Sequence, residues 1–168
     1  MKLEDRLLSD EELEYISDNI IEGEIEIYTD GSCIINNSKN KSTYAIVVVE
    51  KDNIIFECTG SFDIGTNNRS ELMALIQAVQ VMIFVYDDIY DIKVKTTIYS
   101  DSKYAINTLF VWSKKWLEKN IKKKNLDLVR LFHSLDEPLK FRKNVKWVKG
   151  HSDNKWNDYV DNLCLLEY

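Results

Sequence analysis

The segment Glu24–Cys33, which reads Glu-Ile-Glu-Ile-Tyr-Thr-Asp-Gly-Ser-Cys, decides the fold. Isoleucines alternate with glutamates at its start, and a period of two is typical of a strand with one buried face. Asp30 and Gly31 are poor strand residues, so the pattern predicts that the strand ends at Asp30. The segment therefore predicts a buried strand that carries a carboxylate to one edge of a sheet.

Outward from this strand, β-branched runs predict four more strands, and apolar residues at helical spacing predict the helices between them. The further strands are predicted at 44–50, 54–60, 94–100 and 145–149. The helices are predicted at 69–86, 102–109, 110–122, 126–135 and after residue 154. The order β-β-β-α-β-α-α-β-α indicates an α/β domain whose five-stranded mixed sheet has helices on both faces.

Residues 1–22 are predicted to form a short helical leader, ahead of a domain at 23–168. Ser9 is a suitable N-cap for a helix, and Leu13, Ile16 and Ile20 follow it at helical spacing. The leader contains eight acidic and two basic residues. It is therefore a poor candidate for an arm that binds nucleic acid.

Charge is unevenly distributed along the chain. The net charge is −6, but residues 110–149 contain 12 basic and 4 acidic residues, a net charge of +8. Residues 1–109 and 150–168 have net charges of −11 and −3. A basic island of this kind can steer a polyanion such as nucleic acid, although a solvated helix face would have the same composition.

The cysteines and the N-terminus indicate the compartment. Cys33, Cys58 and Cys164 are odd in number and form no C-x-x-C pair, so neither a disulfide framework nor a zinc site is expected. The acidic N-terminus is unlike a signal peptide, and the near-apolar run at 72–86 is too short to span a bilayer. These features predict a reducing compartment, the cytosol or the nucleus, and no membrane partner.

Four carboxylates occupy positions where an acid contributes little to folding. Asp30 ends the first strand, and Asp101 directly follows the fourth. Glu71 lies in the first turn of the most apolar helix, and Asp161 lies inside the last one. Each residue alone could be a turn residue, a cap or a surface acid. Strand ends and helix starts meet at one rim of an α/β sheet, where clustered carboxylates would need a hard cation such as Mg²⁺.

The motifs around these acids resemble those of type 1 ribonucleases H. In chain order they are Tyr28-Thr29-Asp30-Gly31-Ser32-Cys33, Thr66-Asn67-Asn68-Arg69-Ser70-Glu71-Leu72-Met73-Ala74, Ser100-Asp101-Ser102-Lys103-Tyr104, and Val148-Lys149-Gly150-His151 with Asn157 and Asp161 downstream. The likeness is collinear over roughly residues 24–166. It implies a ribonuclease H-like fold and a catalytic domain at 23–168. It also implies metal-dependent endonucleolytic hydrolysis of the RNA strand of RNA/DNA hybrids, which leaves 5′-phosphate and 3′-hydroxyl ends.

The resemblance also assigns catalytic roles. Asp30 would contact both of two Mg²⁺ ions, for which Mn²⁺ is the alternative. Asp161 would complete the ion that activates the attacking water, whereas Glu71 and Asp101 would hold the ion at the leaving 3′ oxygen. His151 would assist proton transfer or the release of metal and product.

Substrate contacts are implied by the resemblance as well. Contacts to the RNA strand are expected from Cys33, Asn36, Asn67, Asn68 and Glu71. Thr66 and Asn125 match positions that hold a phosphate of the DNA strand. Contacts to the DNA strand are also expected from Trp112, Lys114 and Lys115, with Trp116 in the core. The asparagines could instead be turn residues, and for Asn36 the two interpretations are about equal. Ile64 replaces an arginine that binds phosphate in some members.

Other functions stay open from the sequence alone. One is another nuclease with the same fold, such as a junction resolvase or the nuclease domain of a reverse transcriptase. A second is a catalytically silent module that only holds nucleic acid, which would be expected to lack at least one of the four carboxylates. All four are present, so an active enzyme that binds an RNA/DNA hybrid as a monomer is the preferred prediction.

Overall fold

A five-stranded mixed sheet forms the centre of the computed structural model, which describes residues 1–36, 39–86, 94–151 and 153–166, without the side chains of residues 35, 36, 39 and 166. The strands are β1 (Glu24–Asn36), β2 (Lys39–Glu50), β3 (Asn53–Phe62), β4 (Lys95–Ser100) and β5 (Val145–Trp147). Their order in the sheet is β3-β2-β1-β4-β5. The first three strands are antiparallel, and β4 and β5 continue the sheet in parallel with β1. The predicted five-stranded mixed sheet is confirmed.

Six α-helices accompany the sheet in the described residues. They are α1 (Asp10–Asp18), α2 (Asn67–Tyr86), α3 (Lys103–Asn107), α4 (Ser113–Glu118), α5 (Leu126–His133) and α6 (Lys155–Leu166). Short 3₁₀ helices lie at Leu3–Arg6 and Pro138–Asn144. A π-helical stretch, Thr108–Trp112, connects α3 to α4. In this region the sequence predicts two consecutive helices, at 102–109 and 110–122.

The end of the first strand is the clearest difference from the sequence prediction. β1 does not stop at Asp30 but continues to Asn36, because β2 pairs with it along this whole length. What ends near Asp30 is the parallel pairing, since the last pair between β1 and β4 joins Thr29 to Ser100. Asp30 therefore lies where the sheet narrows from five strands to three, next to the edge that β4 leaves open.

Two hydrophobic cores lie on opposite faces of the sheet, as the prediction of helices on both faces requires. The larger core holds α1, α2, α3 and α5 against one face, and its members include Ile16, Leu75 and Phe132, all with 0% exposure. On the other face α6 buries Val160 and Cys164 against β1 and β2. The larger core supplies most of the apolar burial and thus most of the stability.

The acidic leader is part of the larger core. Leu8, Leu13 and Ile16 are buried in it, and Ser9 caps α1 through a capping box with Glu12. Two glutamines of α2 hold the chain before α1. Gln80 donates to the carbonyl of Leu8 and accepts from its backbone N–H, both at 2.8 Å, and Gln77 donates to the carbonyl of Arg6 at 2.7 Å.

The central helix α2 is long enough and apolar enough to cross a membrane. It is 20 residues long, five more than the run at 72–86 on which the sequence prediction rested, so length does not rule out a membrane span. However, 67% of its apolar window is buried inside the fold. Gln77 and Gln80 face the leader, which explains why two amides interrupt the apolar sequence.

We expect Ile16→Ala to lower the free energy of unfolding by about 2–5 kcal/mol, because it removes a fully buried side chain that joins the leader to the core. The matched control is Tyr15→Ala, since Tyr15 is 54% exposed in the same helix and its loss is expected to change stability by about 0.5 kcal/mol or less. Urea unfolding measures both. Equal effects would contradict the packing of the leader described here.

Candidate active site

Three carboxylates meet at the open edge beside β1. Oxygen atoms of Asp30, Glu71 and Asp101 all lie within 4.8 Å of one another. Asp30 comes from the middle of β1, Glu71 from the second turn of α2, and Asp101 from the residue after β4. The structure thus brings together three of the four carboxylates that the sequence singles out.

The close approach of α2 to β1 makes this cluster possible. At Gly31 a Cβ atom would overlap the backbone nitrogen of Glu71 and lie 2.7 Å from the Cβ of Ser70. Only glycine fits between the strand and the first turns of the helix. Because Gly31 directly follows Asp30, the same contact that admits the helix sets Glu71 beside Asp30.

The cluster is electrostatically unfavourable without a counter-charge. Burial, the charge of Asp101 and a hydrogen bond with Asp161 together raise the pKa of Asp30 to about 8. Burial and the charges of Asp30 and Asp101 raise the pKa of Glu71 well above its ordinary value. The pKa of Asp101 is also raised, first by burial and then by the charge of Asp161. Asp30 and Asp101 thus oppose the ionisation of Glu71, whereas a hydrogen bond with Glu71 acts to lower the pKa of Asp30 and of Asp101 and offsets part of their rise.

The donor set fits a hard divalent cation. Glu71 Oε2 is buried and has no hydrogen-bond partner among the described atoms, although an unpaired buried oxygen destabilises a fold. Three carboxylates supply oxygen ligands, which hard cations prefer, and the nitrogen and sulfur ligands typical of zinc are lacking in this group. A cation would pair with the orphaned oxygen and remove the mutual repulsion.

The fourth carboxylate, Asp161, reaches this edge from the opposite face of the sheet. The thiol of Cys164 donates to the carbonyl of Asp30 at 3.5 Å, and the hydroxyl of Thr43 donates to the carbonyl of Cys164 at 3.0 Å. These bonds dock α6 on β1 and β2, and Asp161 lies one turn before Cys164. Asp161 is outside the group of three but close enough to hydrogen-bond Asp30.

The loop after β5 contacts the cluster from a third side. Gly150 lies against Asp101, where a Cβ atom would be 3.1 Å from Asp101 Oδ2. His151 follows, exposed and with φ of 55°, and its charge acts to lower the pKa of Asp101. The predicted catalytic histidine is therefore beside the cluster and open to solvent.

Trp147 contacts the backbone of Asp101, and the sequence did not predict it as part of the site. Its indole N–H donates to the backbone carbonyl of Asp101 at 3.0 Å, and the ammonium of Lys103 lies 4.3 Å from its ring centre. Trp147 ends β5 and is 46% exposed. Its role depends on the parallel pairing of β4 with β5, which joins Ser100 to Trp147, and no local sequence signal reveals that pairing.

An open cavity of about 420 Å³ lies at the start of α2, the helix that carries Glu71. We call it the outer cavity. It is lined by Thr66, Asn68, Tyr104, Trp112, Trp116, Lys123, Lys124 and Asn125. Predicted contacts from three distant segments thus meet at one surface. Four more lining residues were absent from the predicted site residues: Tyr104, Lys123, Lys124 and Trp116, which was expected in the core.

Arg69 holds one wall of the outer cavity in place through its contacts with Asn125 and Asp127. Its guanidinium pairs with the carboxylate of Asp127 at 2.8 and 2.9 Å and donates to Asn125 Oδ1 at 3.1 Å. The Asn125 amide nitrogen donates to the hydroxyl of Tyr104 at 3.1 Å. These two hydrogen bonds fix both the oxygen and the nitrogen of the Asn125 side chain. Asn125 directly precedes α5 and has φ of 67°. Thr66 accepts from the backbone N–H of Arg69 at 3.1 Å.

The two tryptophans share this wall. The rings of Trp112 and Trp116 stack with centres 5.8 Å apart. Trp112 is 40% exposed, and Trp116 is half-buried against the larger core. The π-helical stretch ends at Trp112, and the wider turn changes which side of the following helix faces the cavity.

Other predicted contacts are placed differently. Lys114 lies 4.0 Å from Glu118 in an exposed ion pair, and Lys115 is exposed on the same helix. Neither lines the outer cavity. Cys33 is half-buried, and its thiol donates to the carbonyl of Gly65 at 3.6 Å. Asn67 is exposed at the start of α2, and the side chain of Asn36 lies outside the described part. All these contacts stay predictions.

Comparison with known proteins agrees with the fold. Residues 22–166 match the model of the RNase H family. The chain is 32% identical to ribonuclease HI of Helicobacter pylori over 145 residues, which cover 86% of this chain and 92% of that protein. In structure it is similar to LC9-RNase H1, a type 1 RNase H with the type 2 active-site motif, with a TM-score of 0.59 and 21% identity over 88% of this chain and 73% of that one. It is also similar to LC11-RNase H1 in complex with an RNA/DNA hybrid, with a TM-score of 0.55 and 20% identity over 84% and 94% of the two chains.

The chain therefore belongs to the ribonuclease H family. It is a ribonuclease H enzyme, a hydrolase of the nuclease class. The family is divalent-metal dependent, which agrees with the oxygen cluster of Asp30, Glu71 and Asp101.

The raised carboxyl pKa values predict how stability varies with pH in the metal-free protein. Between the ordinary carboxyl pKa and about 8, the folded state holds a proton on Asp30 that the unfolded state releases. The free energy of unfolding is therefore expected to fall as pH rises from about 5 to 8, on the order of 2–4 kcal/mol. Asp30→Asn is expected to flatten this dependence, and Mg²⁺ to offset it in the parent. Urea unfolding across this range with chelator measures the slopes. Equal slopes for parent and variant would contradict the predicted repulsion.

Proposed function

We propose that this protein is an endonuclease that hydrolyses the RNA strand of RNA/DNA hybrids and leaves 5′-phosphate and 3′-hydroxyl ends. The observation that carries the proposal is the cluster of buried Asp30 with half-buried Glu71 and Asp101, in which one oxygen of Glu71 is unpartnered, together with a cavity of basic, aromatic and amide groups at the start of α2. Membership of the ribonuclease H family and the structural likeness to an enzyme solved with an RNA/DNA hybrid support the choice of substrate.

Two Mg²⁺ ions, or Mn²⁺ in their place, would be held by Asp30, Glu71, Asp101 and Asp161, and when bound they supply a reactive water and charge stabilisation at the leaving oxygen. Asp30 lies between Glu71 and Asp161 and is the carboxylate suited to both ions. Asp161 would help to hold the ion that activates water, and Glu71 and Asp101 would hold the ion at the leaving 3′ oxygen. His151, exposed beside Asp101, can carry a proton between the site and solvent.

The outer cavity is proposed to hold the DNA strand. Lys123 and Lys124 attract phosphate, and the stacked Trp112 and Trp116 offer an apolar face to the sugars. The guanidinium of Arg69 donates to the side-chain oxygen of Asn125. This charged donor strengthens the amide N–H groups of Asn125 as donors to a phosphate. Short polar groups outside the outer cavity, such as Asn67, suit the 2′-hydroxyls of the RNA strand.

The compartment proposed for this activity is reducing, either cytosol or nucleus, with the chain acting as a monomer. Cys33, Cys58 and Cys164 are free thiols in the described structure. Burial raises the pKa of Cys58 to about 12, so this thiol stays protonated and unreactive at neutral pH.

The decisive experiment is cleavage of four labelled substrates of one sequence: RNA/DNA, RNA/RNA, DNA/DNA and single-stranded RNA, with Mg²⁺ and with chelator. We expect metal-dependent cutting of the RNA strand of the hybrid alone. Asp161→Asn is expected to lower the rate by at least about 100-fold. Asp158→Asn is the matched control in the same helix and is expected to keep the parent rate within about twofold.

Each other outcome has a distinct meaning. Comparable cutting of DNA duplexes would redirect the assignment to another nuclease of this fold, such as a junction resolvase. Tight binding of the hybrid without cutting, in Mg²⁺ and also when Mn²⁺ replaces it, would indicate a silent binding module. Mass spectrometry of the cleaved ends tests the 5′-phosphate and 3′-hydroxyl products.

Arg69 is expected to act on binding rather than on chemistry, because its guanidinium fixes Asn125 but does not belong to the carboxylate cluster. Arg69→Leu should raise KM about tenfold and change kcat by less than about threefold. Steady-state kinetics on the hybrid at two salt concentrations measure this. Arg130→Leu, an exposed arginine of α5, is the control, and a fall in kcat with unchanged KM would refute the positioning role.

A further inference from the structure

A second depression lies between α1 and the turn that joins β2 to β3. Its volume is about 320 Å³, and its apolar lining comes from Tyr15, Ile21, Ile54 and Ile55. We call it the leader groove. None of these residues belongs to the carboxylate cluster or the outer cavity, so the proposed reaction does not use them.

The leader groove lies at the far end of the sheet from the carboxylates. Glu50 lines it and follows Ala45, the β2 partner of Asp30, by five residues. At the usual rise per strand residue this separation is roughly 16 Å. A partner seated in the groove would therefore leave the active-site edge open.

The groove is held in shape by a buried carboxylate. Glu50 has 6% exposure, and its two oxygens accept from the backbone N–H groups of Ile21 and Glu22 at 2.8 and 2.9 Å. Ile21 itself is 86% exposed. A large apolar side chain is thus presented to solvent on a fixed backbone, and such preorganisation lowers the entropy lost on binding.

Exposed apolar groups cluster around the groove instead of being scattered. Tyr15 is 54% exposed on the outer side of α1, and Ile54 is 42% exposed at the start of β3. The inner side of α1 is already occupied, since Leu13 and Ile16 pack in the larger core. Single exposed apolar residues are ordinary, but several around one depression are typical of a binding surface.

The charge around the groove selects the partner. Residues 1–22 have two basic and eight acidic residues, and Glu11, Glu14 and Asp18 are exposed on α1. In the described part of the chain, no ion pair involves these three acids. Their field repels nucleic acid and anionic lipid and attracts a cationic polypeptide.

We propose that the leader groove docks a basic amphipathic segment of a partner protein, with a bulky apolar side chain seated against Ile21 and Tyr15 and with lysines or arginines facing the acids of α1. The inference goes beyond the proposed nuclease activity and does not depend on it. The occupant is another protein, because the apolar lining of the groove includes Tyr15 of α1, the helix that carries the exposed acids Glu11, Glu14 and Asp18. Lys51 also lines the groove, but it is paired with Glu22 at 3.3 Å.

The test uses a fluorescein-labelled synthetic peptide of 16 lysines and leucines, arranged with one apolar helical face. Binding to the whole chain is followed by fluorescence anisotropy at about 0.15 M salt, with Mg²⁺ present to neutralise the carboxylate cluster. We expect saturable binding, which Ile21→Ser weakens at least about tenfold. Leu165→Ser, at a residue with 50% exposure on α6, is the matched control and should change the dissociation constant by less than about twofold.

Two further arms make the result decisive. Glu14→Lys with Asp18→Lys should weaken binding, whereas Asp136→Lys should not, and a peptide with glutamate in place of lysine should not bind. No binding, or equal loss in Ile21→Ser and Leu165→Ser, would overturn the proposal. Self-association of the chain that Ile21→Ser abolishes would also overturn it, in favour of an interface between copies. Ile21→Ser should cleave substrate like the parent, so failure here is separable from failure of the proposed function.

Discussion

The close approach of α2 to β1 at Gly31 is the contact on which the site depends. A side chain at this position would push the first turns of the helix away from the strand, and Glu71 would move away from Asp30. The rest of α2 cannot adjust freely, because most of its residues are buried in the larger core. The position of one carboxylate is therefore fixed by apolar packing along five turns of helix, not by interactions among the carboxylates themselves.

That packing has to overcome the repulsion it creates. Asp30, Glu71 and Asp101 are brought together with raised pKa values, and one oxygen of Glu71 lacks a partner. Local chemistry and global stability thus pull in opposite directions, as is common at functional sites. The leader belongs on the stabilising side of this balance, because it adds Leu8, Leu13 and Ile16 to the same core.

Periodicity in the sequence predicted the elements well, because the decisive signals are local. The β-branched runs and the apolar spacing of α2 identify the sheet and the central helix, and Ser9 identifies the start of α1. The predicted end of β1 at Asp30 was wrong. Gly31 signals a break in a strand taken alone, whereas pairing with β2 continues to Asn36, and glycine serves the helix contact instead.

The site was predictable where resemblance supplied it and less so where contacts join distant segments. The four carboxylates were named from motifs, and the structure brings them to one edge. The pair of Arg69 with Asp127 spans 58 residues, and the contact of Trp147 with Asp101 depends on strand pairing. Neither has a local signal. Likewise, composition marked the lysines of 110–124 as a group but did not separate Lys123 and Lys124 from Lys114.

The docking of α6 has a consequence for how activity is lost. This helix alone brings Asp161, and it rests on the smaller core, with far fewer buried side chains than α2. Segments with little apolar burial open at lower free energy than the whole molecule unfolds. Detachment of α6 would remove the fourth carboxylate while leaving the other three and the sheet in place. We therefore expect activity to be lost on heating before the molecule unfolds cooperatively.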